Sequence, residues 1–239
     1  MNRIAMMVLK NIWKVPGLYI ELCRHAKTPD RYPESERYGH IQHIMQLALK
    51  SGNINMTITG TENIPAENGY LLCGNHQGLF DVVALVATHD NPLGGVYKIE
   101  LKDIPFIRQI AASTNSFAMD RDDVRQSLTV IQSVTKELQA GRNYLIFPEG
   151  TRSKNGNVMG EFHGGSFRCA VKAKAPLVPF AVIDCYKVLD QKGSKPVSAQ
   201  LHYLKPIPYE EYKDLKTTEI AALVKSHIQA AIDKYAPKE

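Results

Sequence analysis

The chain contains no run of about 18 consecutive apolar residues, so a membrane-crossing helix is not expected. Its apolar N-terminal run, Ile4 to Leu9, is broken by Lys10, and no small-residue cleavage site follows, which argues against a secretory leader. Cysteine is scarce. Cys23, Cys73, Cys169 and Cys185 are widely scattered and none forms a Cys-x-x-Cys pair, so a zinc site is not expected. Each lies among apolar neighbours and reads as a small buried hydrophobe, in keeping with a reducing compartment. The glycine patterns that cradle nucleotides, G-x-x-x-x-G-K-[ST] and G-x-G-x-x-G, are both missing, as is the G-x-S-x-G of a serine nucleophile elbow. Internal repeats and low-complexity tracts are absent too. No cofactor and no metal are called for.

What is present is an ordinary globular composition over 239 residues, 44% hydrophobic and 22% charged. That length is one large domain or two small ones, and it builds a core without disulfide or metal staples. The formal charge of +5 is unevenly spread: residues 1–52 hold eight basic residues against four acidic ones. The remainder is close to neutral, which gives no support to nucleic-acid binding.

Residues 1–24 have helical periodicity, with Arg3, Lys10, Lys14 and Glu21 on one narrow stripe and Ile4, Val8, Ile12, Val15, Tyr19 and Leu22 opposite. Pro16-Gly17 is expected to kink or break this helix. A turn containing Pro29 and Pro33 leads to a second amphipathic helix through Tyr38, Ile41, Met45 and Ala48, closed by Ser51-Gly52-Asn53. Beyond it the pattern changes. Ile54 to Ile58 alternates like an exposed strand. Tyr70–Cys73, Tyr144–Phe147 and Leu177–Ile183 are apolar runs expected to be buried strands, with further strands at Gly95–Tyr97 and Ala199–Leu204. Helices are expected at Asp81–Thr88, Asp122–Ala140, Ser166–Ala175 and Thr218–Tyr235. Strands alternating with helices predict an α/β fold, a central mixed sheet flanked by helices. The division expected is an amphipathic two-helix element over 1–52 and an α/β domain over 53–239.

Four stretches can carry chemistry. In Asn75-His76-Gln77-Gly78-Leu79-Phe80-Asp81, His76 follows a buried strand and Asp81 opens the next helix. A turn between them can set the carboxylate on one imidazole nitrogen and leave the other as a general base; the same spacing also suits Asp81 as a helix cap. In Phe147-Pro148-Glu149-Gly150-Thr151-Arg152, a second strand end presents Glu149 and Arg152, either as an internal ion pair or with Arg152 gripping a phosphate. Arg121, at the end of Ser116–Arg121, and Lys98, in Tyr97–Leu101, are further cations for an anionic substrate or else solvated surface charges. His163-Gly164-Gly165-Ser166 has the form of an esterase oxyanion loop, but no nucleophile elbow accompanies it.

These stretches, in this order, resemble the glycerolipid acyltransferase family. Its N-H-x4-D block is matched by Asn75, His76 and Asp81, and its K-x-E-L segment by Lys98-Ile99-Glu100-Leu101. The block ending in D-R is matched by Phe117–Arg121, F-P-E-G-T-R by all of Phe147–Arg152, and an apolar V-P strand by Leu177-Val178-Pro179-Phe180. The resemblance covers roughly residues 55–210. Two departures concern substrate choice: the D-R block usually opens with glycine near Asn115 or Ser116, and a basic residue is common at the position of His163.

The resemblance implies transfer of a fatty acyl group from acyl carrier protein or coenzyme A to the sn-2 hydroxyl of 1-acyl-sn-glycerol-3-phosphate (lysophosphatidic acid). His76 would be the base and Asp81 its orienting partner. Lys98, Arg121 and Arg152 would bind the substrate phosphate, Glu149 would orient the glycerol or Arg152, and main-chain N–H groups near Gly150 and Thr151 would face the oxyanion. A remodelling acyltransferase for another lysophospholipid is the alternative activity; a non-catalytic membrane-binding module and a soluble esterase are alternatives of other classes. It further implies a peripheral protein on the cytoplasmic face of the cell membrane. The N-terminal helices would then lie in the interface, with their Lys/Arg stripe toward anionic lipid.

Overall fold

Strands that are covered on both faces need no polar alternation, and three of the expected apolar runs form the centre of the sheet. β2 (Leu71–Gly74), β5 (Asn143–Ile146) and β6 (Leu177–Ile183) are buried along their whole length in this computed structural model, which describes residues 2–191 and 193–237. With β1 (Ile54–Thr59), β3 (Leu93–Lys98), β4 (Phe117–Met119) and β7 (Val197–Tyr203) they make a seven-stranded sheet in the order β1-β7-β6-β2-β5-β3-β4. Only β6 and β7 run antiparallel; every other neighbouring pair is parallel. The sheet is therefore mixed, as the alternation predicts. Edge strand β1 keeps its period-two pattern of half-buried and exposed residues.

The helices are α1 (Arg3–Lys10), α2 (Val15–Lys27), α3 (Glu34–Ser51), α4 (Leu79–Thr88), α5 (Ile107–Ser113), α6 (Val124–Gln139), α7 (Arg168–Ala173), α8 (Tyr186–Leu189), α9 (Tyr209–Tyr212) and α10 (Thr217–Tyr235). They cover both faces of the sheet. Leu71, aligned with Tyr144 and Leu177, points to a core closed by α6 and α10 through residues such as Val134, Leu138, Val224 and Ile228. Leu72, aligned with Leu145 and Val178, points the other way, to a core closed by α4 and the N-terminal helices. Leu22, Tyr38, Ile41 and Met45 belong to this second core, so α2 and α3 complete the cover of one sheet face.

The N-terminal region departs from expectation in two ways. The helix breaks at Asn11–Lys14 rather than at Pro16. Pro16 sits in the first turn of α2, where a missing N–H costs no hydrogen bond. More consequentially, the basic stripe is divided: Arg3 and Lys10 turn to the protein, while Lys14 is exposed. Arg3 is only 5% exposed; its guanidinium donates to the carbonyls of Val188 (2.7 Å), Gly52 (2.6 Å) and Lys195 (2.9 Å). Lys10 donates to the Ser51 carbonyl and to Asn53 Oδ1. An arginine fork satisfies several carbonyls at once, and that fixes α1 with its charges on the protein and Ile4, Leu9, Ile12 and Trp13 outward. Trp13 is 94% exposed. Two short elements, β4 and α5, carry no periodic signal long enough to be expected from sequence.

Candidate active site

Because β2, β3, β4 and β5 are mutually parallel, their C-terminal ends open onto one edge of the sheet. Four separate stretches meet there: His76 after β2, Lys98 at the end of β3, Arg121 just beyond β4 and Phe147–Arg152 after β5. Strand C-terminal edges of open α/β sheets are where side chains converge without disturbing the ladder.

The His76 imidazole is held from two sides. Its Nδ1 lies 2.8 Å from Asp81 Oδ2. Asp81 is fully buried, and a carboxylate in that place only accepts, so Nδ1 carries the proton and Nε2 keeps a lone pair. The imidazole stacks on Phe147 at 3.9 Å between centroids and 19° between planes, which sets the ring plane. Nε2 makes no hydrogen bond among the described residues, and the side chain retains 15% exposure. The same Asp81 Oδ2 accepts the N–H of Gln77 (2.6 Å) and of Gly78 (2.9 Å), the residue that caps α4. The two readings of Asp81, cap and imidazole partner, therefore hold at once, with its charge at the positive end of the helix.

The turn is anchored on its other side by polar residues with distant partners. Asn75 imitates a strand residue: its Nδ2 donates to the Val182 carbonyl and its Oδ1 accepts the Val182 N–H, at 2.9 and 2.8 Å. Gln77 accepts from Cys185 N and donates to Asn157 Oδ1, and Asn157 in turn pairs with Asp184. Gln77, Asn157 and Asp184 hold the turn that carries His76, and sequence reasoning gave them no part in it. Their partners lie 27 to 108 positions away, and no local pattern records them.

In the second loop Gly150 takes a left-handed φ of 67°, the backbone that glycine adopts without strain. Its N–H closes the turn on the Phe147 carbonyl at 3.0 Å, so it is committed there. The Thr151 N–H has no such partner among the described residues. Glu149 does not pair with Arg152. It is 4% exposed, with Oε1 accepting the His76 N–H at 2.8 Å and Oε2 the Gly160 N–H at 2.7 Å. Arg152 remains half exposed, and its nearest carboxylate is Asp190 at 3.9 Å. Lys98 pairs with Glu100. Partial desolvation lowers the Arg121 guanidinium, and the neighbouring Glu100 charge works against that shift. Lys98, Glu100 and Arg121 are thus one charged group. Among the described residues no cluster of three or more His, Cys, Asp or Glu is arranged to hold a metal ion.

A histidine with one nitrogen buried on a carboxylate and the other open, on a strand edge that also carries cations, is an arrangement for deprotonating a hydroxyl beside an anionic group. Residues 55–183 match the acyltransferase family model, and the chain belongs to that family of enzymes. It is 30% identical over 142 residues to the 1-acyl-sn-glycerol-3-phosphate acyltransferase of Helicobacter pylori, covering 59% of each chain. It is 26% identical over 173 residues to the probable 1-acyl-sn-glycerol-3-phosphate acyltransferase of Mycoplasma pneumoniae, covering 70% of this chain and 64% of that one. The matched segment thus spans less than two thirds of these relatives' length. The crystal structure of the 1-acyl-sn-glycerophosphate (LPA) acyltransferase PlsC from Thermotoga maritima superposes with a TM-score of 0.71 at 17% identity, over 96% of this chain and 99% of that one. It shares this fold.

Proposed function

We propose that the protein transfers a fatty acyl group from the thioester of acyl carrier protein or coenzyme A to the sn-2 hydroxyl of 1-acyl-sn-glycerol-3-phosphate, giving phosphatidic acid for phospholipid synthesis. The observation that carries this reading is the 2.8 Å contact of His76 Nδ1 with buried Asp81, which leaves Nε2 open. Nε2 takes the hydroxyl proton as the oxygen attacks the thioester carbonyl. Asp81 stabilises the resulting imidazolium. The tetrahedral oxyanion collapses, the C–S bond breaks, and His76 returns its proton to the departing thiolate. Lys98, Arg121 and Arg152 meet the phosphate of the acceptor. The Thr151 N–H, free where the Gly150 N–H is not, serves the oxyanion. The relatives' names support this acceptor, and no serine or cysteine nucleophile is required.

The enzyme works at the cytoplasmic face of the cell membrane, as a peripheral protein. No helix among the described residues is long and apolar enough to cross a membrane. The outward face of α1 and α2, with Leu9, Ile12, Trp13 and Ile20 exposed, is suited to lie in the bilayer interface, where tryptophan is favoured.

The test is an assay with lysophosphatidic acid against acyl carrier protein and coenzyme A thioesters of several chain lengths, with a panel of other lysolipids as acceptors. Transfer to lysophosphatidic acid should far exceed transfer to acceptors lacking the phosphomonoester, and His76→Ala should abolish it. Preference for a different head group would instead identify a remodelling acyltransferase; undiminished turnover by His76→Ala would remove the base mechanism.

A further inference from the structure

Resting on that assignment of His76 as base, we infer that Glu149 is a positioning residue for His76 rather than a ligand of the acceptor, and that Gly160 is the residue that lets it act. The turn that carries the base presents three successive main-chain donors, the N–H groups of His76, Gln77 and Gly78. All three are taken by two buried carboxylates: Glu149 holds the first at 2.8 Å, and Asp81 holds the second and third at 2.6 and 2.9 Å. The His76 carbonyl is held as well, by the Ser153 N–H at 2.7 Å. Both polar groups of the His76 main chain are therefore fastened to the loop that contains Arg152. The base and a cation of the site are set by one pair of contacts.

Burial closes Glu149 off from a substrate. It is 4% exposed, and each oxygen already accepts a main-chain N–H, Oε1 from His76 and Oε2 from Gly160. The Gly160 contact is specific to glycine, because a Cβ there would stand 2.9 Å from Oε2. That is a few tenths of an ångström inside ordinary contact for carbon and oxygen, so a side chain at 160 shifts the carboxylate by about that much. Glu149 thus spans from the loop at 160 to the base, and the effect on chemistry passes through the main chain of His76.

The decisive variants are Glu149→Gln and Gly160→Ala, assayed for kcat and for KM toward lysophosphatidic acid, with thermal melting as a control for folding. Glutamine keeps the size but turns an amide NH2 toward one of two N–H donors. Alanine keeps the charge and only displaces it. Glu149→Gln should lower kcat by about 10²-fold, as for a reacting group misplaced by about 1 Å, and Gly160→Ala, whose displacement is smaller, by about 5-fold, while KM stays within about twofold in both. If Glu149 were an acceptor ligand, Glu149→Gln would raise KM and Gly160→Ala would leave kcat at the parent level; either result overturns the inference. Should Glu149→Gln fail to fold, Gly160→Ala decides alone. His76→Ala in the same assay separates the two layers. If it retains turnover, the base assignment fails; if it is inactive while the other two variants keep kcat, only the positioning role fails.

Discussion

Two regions of this molecule bury charge, and they do so as opposites. At the N-terminus one cation, Arg3, gathers carbonyls from α8 (Val188), the turn after α3 (Gly52) and the loop before β7 (Lys195). At the sheet edge two carboxylates, Asp81 and Glu149, gather main-chain N–H groups from the His76 turn and from Gly160. In both places the buried charge is met by backbone groups of opposite polarity, which is how desolvation is offset without an ion pair. What each region leaves outside differs. Around Arg3 it is an apolar helix face; around Asp81 and Glu149 it is an imidazole nitrogen and three cations. The charges that set up each surface are therefore not the ones displayed on it.

The sharpest way to break that contrast is at Asp81. Asp81→Asn should cut turnover by about 10²- to 10⁴-fold, since it removes the negative charge that stabilises the imidazolium and fixes the imidazole tautomer; steady-state kinetics with unchanged circular dichroism would check it. Next is Arg3→Met, which strands three buried carbonyls and should cost about 3 kcal/mol by urea denaturation. Lys10→Ala, whose contacts are exposed, should cost under about 0.5 kcal/mol. If Arg3→Met proved neutral and Lys10→Ala released the protein from anionic vesicles, the stripe would face lipid after all. Trp13→Asp should weaken co-sedimentation with vesicles by about 10-fold or more without lowering stability, as expected for an indole that leaves an apolar phase. This variant is preferable to deleting residues 1–50, because Leu22, Tyr38, Ile41 and Met45 are core residues.

The smallest effect concerns the seam between the N-terminal helices and the sheet. His89 lies there, its carbonyl taking Tyr38 Oη and Gln42 Nε2 and its Nε2 meeting Tyr70 Oη. Burial pulls its pKa below the ordinary 6.5. A histidine kept neutral by the fold binds its proton more readily when unfolded. Stability is therefore full above about pH 6.5 and falls as the pH drops from there toward the lowered folded value. A melting series from pH 7.5 to 5.5 should show that decline, and His89→Gln should flatten it. A slope unchanged in His89→Gln would place the acid sensitivity elsewhere.

The buried strands were legible because covering both faces of a sheet demands unbroken apolar runs, and β2, β5 and β6 have them. The start of α6 was legible to within two residues: the helix expected from Asp122 begins at Val124, with the Asp123 side chain accepting the N–H groups of Arg125 and Gln126. β4 and α5 were not, because three to seven residues leave too little periodicity. His76 and Asp81 could be paired on spacing because their contact is local, five positions apart. Glu149 and Arg152 could not be separated in role, since both orientations of a strand-end loop fit the same letters.

The amino-acid order by itself determined that this is an α/β protein with chemistry at strand ends, and which residue types stand there. Local periodicity and short spacings encode that much. Which way the charges of α1 face, which N–H groups remain free in the Gly150 turn, and that Glu149 holds His76 rather than Arg152 were decided only by the tertiary structure. The first and the last are hydrogen bonds between segments tens to nearly two hundred residues apart, and whether a buried polar group is satisfied depends on what the fold brings to it.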